Sequence, residues 1–187
     1  MDFKEFKKIP RLSRECIITE KIDGTNASIY IGENGEFLIG SRKRWITPES
    51  DNHGFASWAL QNKEELLKLG IGIHYGEWWG KGIQRGYGLE EKRFSLFNTG
   101  RWVKDRNQLL LEKQKYCPEC CNVVPVIYKG IFDTNIIETE LNLLKRNGSF
   151  ASPGYASPEG IVIYHVAGNL YFKKTIEKDN EPKGKNE

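Results

Sequence analysis

This chain of 187 residues lacks the features that mark several large classes of protein. It has no apolar run long enough to span a bilayer and no N-terminal signal peptide. Its three histidines show no metal-ligand spacing, its glycines do not spell a dinucleotide-binding fingerprint, and it contains no internal repeat. We therefore expect a soluble, cytoplasmic protein that does not associate with a membrane.

Cysteine is also scarce, at four residues, and this usage fits a reducing compartment. Cys117, Cys120 and Cys121 nevertheless contain a Cys-x-x-Cys pattern, which is one half of a zinc-ribbon site. A second pair is missing, so a fourth ligand for Zn²⁺ would have to come from Cys16, His74 or His165. Two interpretations stay open at this point, a bound zinc ion or free thiols in a loop.

The chain does contain enough apolar residues, 39%, to bury one good core. We expect one domain over residues 1–176 and a charged, flexible tail over residues 177–187. The net charge of +3 is mild, but basic residues cluster near the N-terminus and at residues 42–44. These clusters fit either a phosphate-binding face or an ordinary solvated surface.

Short apolar runs separated by turn residues predict a set of mostly antiparallel strands. The clearest signal is Asn34-Gly35, the strongest short marker of a β-hairpin. It lies between residues 27–31 and residues 36–40, which we predict to be its two strands. Further strands are predicted at residues 71–78, 94–97, 123–128, 161–166 and 170–172.

Two segments have the spacing of helices. Residues 55–69 show apolar residues at helical intervals and stop at Gly70. A second helix is predicted to begin at Asn135, with Glu138 placed for a capping box and Gly148 as its stop. Two helices beside mostly antiparallel strands indicate an α+β fold.

One lysine, Lys21, is set at the junction of a strand and a turn, in the sequence EKIDGTN at residues 20–26. Lysine is normally a solvated cation. When burial or neighbouring cations lower its pKa, the neutral amine becomes a nucleophile. Asp23 could orient that amine or hold a metal, and Asn26 offers an amide that both donates and accepts hydrogen bonds.

This segment resembles motif I of the covalent nucleotidyltransferases, the superfamily of ATP-dependent RNA ligases, DNA ligases and mRNA capping enzymes. Four later segments are similar to further motifs of the superfamily, in the same order. They are GEWWGKGIQR at residues 76–85 with Tyr87-Gly88 (motif III of the RNA ligase 2 type), RFSLFN at 93–98 (IIIa), PEGIVI at 158–163 (IV) and LYFKKT at 170–175 (V). One such segment is weak evidence, whereas five in order are strong.

The resemblance implies the nucleotidyltransferase (ATP-grasp-like) fold, in which two mostly antiparallel sheets with flanking helices pack together with ATP between them. It implies that Lys21 attacks the α-phosphorus of ATP, expels pyrophosphate and forms lysyl-AMP. The pKa of an ordinary lysine is about 10.4. We therefore expect neighbouring cations and a divalent metal, Mg²⁺ or Mn²⁺, to favour the neutral amine.

Motif V of the family usually has two lysines one residue apart, but Lys173 and Lys174 are adjacent in this chain. On a regular strand one of them must point away from the pocket. Both are catalytic candidates, and we expect Lys173 to be the inward one because Tyr171 shares its face.

The same resemblance implies which residues bind the metal and the ribose of ATP. Glu159 is expected to bind the metal, directly or through water, because magnesium prefers oxygen ligands and retains waters. Asp23 is the second metal candidate. Glu77 is expected to bind the ribose hydroxyls.

For the base, the resemblance implies that Phe94, or alternatively Phe97, stacks on the adenine. One of the two must belong to the core, because residues three apart on a strand lie on opposite faces. Glu20 and Arg42 complete the expected nucleotide-binding set, and Arg44 is an alternative to Arg42.

Asn26 favours an RNA ligase, since DNA ligases and capping enzymes usually carry arginine there. The expected partner is then RNA with 5′-phosphate and 3′-hydroxyl ends. Family ligases carry an added domain after motif V, whereas this sequence ends shortly after Thr175, so self-adenylylation is a firmer expectation than strand sealing. A partner or an oligomer is a candidate replacement for that domain. The alternatives are a small DNA ligase or another nucleotidyltransferase, or a non-catalytic module that binds nucleotide or RNA.

Overall fold

The computed structural model describes residues 2–106 and 111–181. Within those residues the chain forms twelve strands and three α-helices. The strands are β1 (Glu15–Lys21), β2 (Thr25–Ile31), β3 (Phe37–Ser41), β4 (Trp45–Ile46), β5 (Gly72–Gly80), β6 (Lys92–Leu96), β7 (Trp102–Val103), β8 (Lys115–Tyr116), β9 (Cys121–Val123), β10 (Val126–Ile131), β11 (Gly160–His165) and β12 (Leu170–Thr175). The helices are α1 (Phe55–Gln61), α2 (Lys63–Leu67) and α3 (Thr134–Asn147).

Two sheets make up most of the described fold. The smaller sheet has the order β10-β1-β11-β12 and is antiparallel throughout. The larger sheet has the order β4-β3-β2-β5-β6-β9, and of its strand pairs only β6 and β9 are parallel. This confirms the α+β prediction.

The predicted hairpins are present. Strands β2 and β3 pair from Ala27 with Ser41 to Ile31 with Phe37, and Gly35 between them has a φ of 86°. A left-handed residue in the connection is what Asn-Gly supplies at little steric cost. The last hairpin pairs β11 with β12, and its turn includes Asn169 at a φ of 48°.

The helices differ from the prediction in detail. The segment predicted as one helix over residues 55–69 is two helices, because Asn62 leaves the helical conformation and caps α1. Helix α3 begins one residue earlier than expected. Its N-cap is Asp133, whose carboxylate accepts from the Asn135 N–H at 2.7 Å, so the capping box assigned to Asn135 and Glu138 is not used.

Each sheet has its own core, and a third cluster lies where the sheets adjoin. Helices α1 and α2 cover one face of the larger sheet, and α3 covers one face of the smaller sheet. The third cluster is built from Ile22, Trp79, Tyr87 and Val124. Ile22 directly follows β1 of the smaller sheet, whereas Trp79 lies in β5 of the larger, so this cluster holds the end of β1, where Lys21 lies, against the other sheet.

The zinc expectation is not supported. Among the described residues, no group of three or more histidine, cysteine or carboxylate side chains could hold a metal. Cys117 and Cys121 are buried in the core of the larger sheet, and Cys120 packs against it. The Cys117 thiol donates to the Cys121 carbonyl at 3.5 Å, and the Cys120 and Cys121 sulfurs lie 3.9 Å apart. These cysteines act as small apolar residues.

No described helix is long and apolar enough to cross a membrane. Of the predicted tail, residues 182–187 lie outside the described part of the chain. Its beginning contacts the domain, since the Asp179 carboxylate accepts from the Thr175 N–H at 2.9 Å. The domain boundary at residue 176 stays a prediction.

Candidate active site

The smaller sheet has a cleft face, defined by Lys21, and an opposite face that packs against α3. Residues two apart on a strand, and partners across strands, share a face. Lys21 pairs with Gly160, and Thr19 pairs with Val162. Lys173 also pairs with Val162, so Lys21 and Lys173 lie on the same face of the sheet. This arrangement places the lysine of motif I and one lysine of motif V on the cleft face.

Lys21 forms an ion pair with Glu159, which lies in the segment that resembles motif IV. Its Nζ donates to Glu159 Oε2 at 2.5 Å, and the two side chains are 18% and 7% exposed. Residue 159 immediately precedes β11, whose first residue is the cross-strand partner of Lys21. Two motifs 138 residues apart in sequence therefore meet in one ion pair.

Glu77 approaches the same lysine from the larger sheet. Its Oε1 accepts from the Gly24 N–H at 3.1 Å, which ties β5 to the turn after Lys21. Burial raises the pKa of Glu77 to about 7, and the nearby positive charge of Lys21 opposes that rise. A Cβ at Gly24 would lie 2.5 Å from the Trp78 carbonyl, so only glycine permits this close approach.

Asp23 is held by Arg85, a residue to which the sequence analysis assigns no role. Its Oδ2 accepts from Arg85 Nε at 3.1 Å, and Arg85 Nη1 also donates to the Ser157 carbonyl at 3.2 Å. The Asp23 N–H donates to Tyr87 Oη at 2.8 Å. These contacts hold Asp23 in the turn after Lys21, and its expected role as a metal ligand stays a prediction.

The expected roles of Glu20 and Lys174 need correction, because both side chains lie on the α3 face. Glu20, expected to bind nucleotide, is 1% exposed, and its carboxylate accepts hydrogen bonds from the segment before motif IV. The donors are Ser149 Oγ at 2.6 Å, the Phe150 N–H at 2.8 Å and the Ala151 N–H at 2.9 Å. The Glu20 side chain is therefore structural.

Lys174, expected as a catalytic candidate, pairs across the sheet with Ile161, which belongs to the α3 core. Its Nζ forms an ion pair with Glu138 of α3 at 3.0 Å and lies 3.7 Å from Asp179. Lys173 is exposed on the other face and forms no ion pair with a described residue. The adjacent lysines thus divide as the strand period predicts, with Lys173 toward the cleft.

The adenine-stacking assignment of Phe94 is also wrong. Phe94 is fully buried, with ring centroids 5.1 Å from Phe55 and 5.9 Å from Trp58, on the helix-covered face of the larger sheet. Phe97 is 38% exposed, and its N–H donates to the Tyr75 carbonyl at 3.0 Å. Ser95 pairs with Glu77, so continued alternation places Phe97 on the face of Glu77.

Asn26 and Arg42 lie beside this group on the larger sheet. Asn26 is the cross-strand partner of Glu77 and shares its face. Arg42 follows the last residue of β3 and is exposed, and its side chain forms no hydrogen bond or ion pair with a described residue. The alternative, Arg44, donates from Nη2 to the Ser50 carbonyl at 3.3 Å, which leaves Arg42 the freer cation.

Sequence reasoning missed two contributors to this site. Arg85 lies inside the segment that resembles motif III, so an unassigned cation within a recognised motif was the available signal. The donors to Glu20 at residues 149–151 lie outside every motif. Only the tertiary contact reveals them.

Comparison with families of known proteins now decides the classification. The sequence model described as RNA ligase matches residues 14–178, which is most of the chain. The chain belongs to the RNA ligase family. Comparison with curated proteins gives no match.

Solved structures show the same fold at low sequence identity. An apo variant of Naegleria gruberi RNA ligase shares 19% identity, with a TM-score of 0.58, over 87% of this chain and 50% of that one. A variant of that ligase with ATP and Mn shares 18% identity, with a TM-score of 0.60, over 89% of this chain and 51% of that one. A variant with AMP and Mn shares 18% identity, with a TM-score of 0.58, over 88% and 50%. The chain thus spans about half the length of these structures.

Proposed function

We propose that this protein is an ATP-dependent RNA ligase whose nucleophile is Lys21. The observation that carries the proposal is the convergence of Lys21, Glu159, Glu77 and Lys173 on the cleft side of the two sheets. Membership of the RNA ligase family supports the same reaction class. So does the fold shared with Naegleria gruberi RNA ligase, of which variants with ATP and Mn are known.

In the first step Lys21 Nζ forms a bond to the α-phosphorus of ATP, and the bond between that phosphorus and the pyrophosphate oxygen breaks. The product is lysyl-AMP. Attack requires the lone pair of the amine, so Nζ must first lose a proton. It must also break its 2.5 Å hydrogen bond to Glu159 Oε2. The ion pair is therefore the resting state of the nucleophile, and it keeps Nζ at the cleft face.

Phosphoryl transfer depends mainly on positioning and on charge stabilisation. Lys173 supplies a cation on the face of Lys21, which suits it to the α-phosphate oxygens. Glu77 accepts from the ribose hydroxyls, for which its carboxylate has a second oxygen free of the Gly24 contact. Phe97 stacks on the adenine from the same face of the larger sheet, and Asn26 lies opposite Glu77 to donate or accept a hydrogen bond.

The residues fit a divalent metal held largely by substrate and water. Glu159 is one carboxylate at the phosphate end of the site, and Mg²⁺ commonly takes one or two carboxylates together with waters and phosphate oxygens. A bound Mg²⁺ or Mn²⁺ would supply charge neutralisation at the phosphates. Glu159 is the residue of this chain that would hold the metal.

In the later steps AMP passes from Lys21 to the 5′-phosphate of an RNA strand, and a 3′-hydroxyl then attacks that phosphate and releases AMP. These steps need RNA beside the lysine.

The test is incubation of the purified chain with ATP labelled at the α-phosphate, in the presence of Mg²⁺ or Mn²⁺. We expect label on the wild-type protein that is acid-labile and alkali-stable, as for a phosphoramidate, and none on Lys21→Ala. Lys145→Ala is the control and should keep the label, because that exposed lysine lies on α3 rather than at the motif I turn. Absence of label on the wild type, or label that survives Lys21→Ala, would contradict the proposal.

Sealing is tested separately on nicked duplexes of RNA and DNA with identical sequences. We expect the RNA nick to be sealed preferentially. Preference for the DNA nick would favour a small DNA ligase, and nucleotide binding without label would favour a non-catalytic module.

A further inference from the structure

An aromatic pair lies on the cleft face of the smaller sheet, beyond the catalytic lysines. Tyr164 of β11 and Tyr171 of β12 are cross-strand partners, with ring centroids 4.6 Å apart and an interplanar angle of 26°. Tyr164 Oη donates to Asn169 Oδ1 at 2.9 Å, which anchors the inner ring to the hairpin turn. The two rings therefore form a fixed stack.

The strand register places this stack on the face of the nucleophile. The rows of cross-strand partners run from Lys21 with Gly160, through Val162 with Lys173, to Tyr164 with Tyr171. Four residues along a strand separate the first row from the third, which is about 13 Å at 3.3 Å per residue. That is the length of about four stacked nucleotides at 3.4 Å each.

The outer ring is open. Tyr171 is 69% exposed, and β12 is the edge strand of its sheet. A cross-strand aromatic pair also stabilises a hairpin, by roughly 0.2–1 kcal/mol, but that contact does not require a ring left mostly in solvent. An exposed aromatic face beside a phosphate-handling site is the arrangement that single-stranded nucleic acid recognises.

Positive charge flanks the stack. On the cleft face Lys173 lies in the row between the two tyrosines and Lys21. Lys129 lies in the row of the tyrosines themselves, since it pairs with Ile17, which pairs with Tyr164. Both lysines are exposed. The next row carries Glu15, so the basic stretch ends there. Cations on both sides of an aromatic platform suit a strand whose bases stack while its phosphates contact lysines.

We propose that Tyr164 and Tyr171 form a base-stacking platform for an unpaired nucleotide of the RNA strand whose end reacts at Lys21, with Lys173 and Lys129 contacting its phosphates. This inference rests on the proposed function, because it names where that reaction holds its polynucleotide. The platform stacks any base, so it confers a preference for unpaired RNA near the reacting end rather than for a sequence.

The first test compares Tyr171→Ala with Phe172→Ala by fluorescence anisotropy on a labelled, 5′-phosphorylated single-stranded RNA. Phe172 is the next residue of the same strand and 52% exposed, but it lies on the α3 face, so it is a matched control. We expect Tyr171→Ala to weaken binding at least about fivefold, whereas Phe172→Ala leaves it unchanged. Thermal melts verify folding, and Phe172→Leu replaces Phe172→Ala if the latter unfolds.

A second measurement separates stacking from a structural role. A series of RNAs, each with one abasic nucleotide at a successive distance from the reacting end, is titrated against the wild type and Tyr171→Ala. We expect the wild type to lose affinity at one position within about the first four nucleotides, and Tyr171→Ala to be insensitive to that position. Tyr171→Trp should retain the sensitivity. Lys129→Ala should instead lower the salt dependence of binding, by about 0.7 in log–log slope.

Equal RNA affinity of Tyr171→Ala and the wild type, or no position-specific abasic effect in the wild type, would overturn the platform. Labelling of Lys21 by ATP is assayed on the same preparations. Label retained by Tyr171→Ala with weakened RNA binding supports both proposals. Loss of label in the wild type, with a Tyr171-dependent abasic effect, overturns the proposed catalysis but leaves the platform as an RNA-binding site.

Discussion

The two faces of the smaller sheet carry similar residues with different consequences. Lys21 and Lys173 lie on the cleft face, while their sequence neighbours Glu20 and Lys174 lie on the face that packs against α3. On the cleft face Lys173 forms no ion pair with a described residue, and Lys21 stays 18% exposed although it pairs with Glu159. On the α3 face each charge is already bonded, Glu20 to three donors and Lys174 to Glu138. The comparison shows that residue type within a motif is not sufficient to place a side chain, because strand alternation decides which charge lies on the cleft face.

The larger sheet offers the sharpest test of the same contrast, through Phe94 and Phe97. Phe94→Ala would open a cavity among buried aromatic rings, so we expect a loss of about 3–5 kcal/mol in the free energy of unfolding. Phe97→Ala should leave stability nearly unchanged and weaken ATP binding about tenfold, through loss of base stacking. Urea unfolding and ATP titration measure the two effects. A stable Phe94→Ala variant that fails to bind ATP would reverse the assignment.

Glu77 provides a pH-dependent test. Because burial raises its pKa from 4.5 to about 7, the folded state holds the proton more tightly than the unfolded state. Stability should therefore fall as pH rises from about 4.5 to about 7 and change little from this group above that range. Glu77→Gln removes this loss. Its free energy of unfolding, relative to that of the wild type, should therefore rise by up to about 3 kcal/mol between pH 4.5 and pH 8.

Denaturant unfolding across that pH range measures this change. Glu90→Gln, which removes a carboxylate that is 91% exposed, serves as the control. A wild-type stability profile parallel to that of Glu77→Gln would show that the cleft does not hold the Glu77 proton.

The adjacent lysines give the next largest contrast. Lys173→Ala should slow self-adenylylation about 100-fold, since one preorganised charge at a transition state contributes on that order. Lys174→Ala should change the rate less than about threefold, because that side chain is only a partly exposed ion-pair partner of Glu138. Single-turnover labelling at saturating ATP measures both. Equal loss in the two variants would show that β12 does not keep its regular register when ATP binds.

Glu20 gives the smallest expected effect. Glu20→Ala leaves Ser149 Oγ and two backbone N–H groups without their acceptor, so stability should fall by about 2 kcal/mol. Glu20→Gln should lose less, since its amide oxygen still accepts. Per folded molecule, adenylylation should persist in both, because the side chain points away from the cleft. Loss of labelling in a folded Glu20→Gln would return this residue to the nucleotide-binding set.

Much of this site could be predicted because it depends on sequence patterns only a few residues long. The turn after β1, the Asn34-Gly35 hairpin and the choice of Lys173 over Lys174 all follow from periods of two residues and from turn chemistry. The errors share one cause, which is that burial depends on partners distant in sequence. Phe94 was assigned to the wrong face because its packing with Phe55 is not visible in the motif.

By itself, the sequence determined the family of the protein, the order of strands and turns along the chain, and the lysine that we propose as the nucleophile, because these depend on residue identity and short spacings. Only the tertiary structure decided which carboxylates lie beside that lysine and which aromatic rings are buried. In the folded chain Glu159 forms an ion pair with Lys21, and Asp23 forms one with Arg85. Glu20 is buried, whereas Tyr171 is exposed. The physical reason is that desolvation and ion pairing are set by whichever strands and loops meet in space.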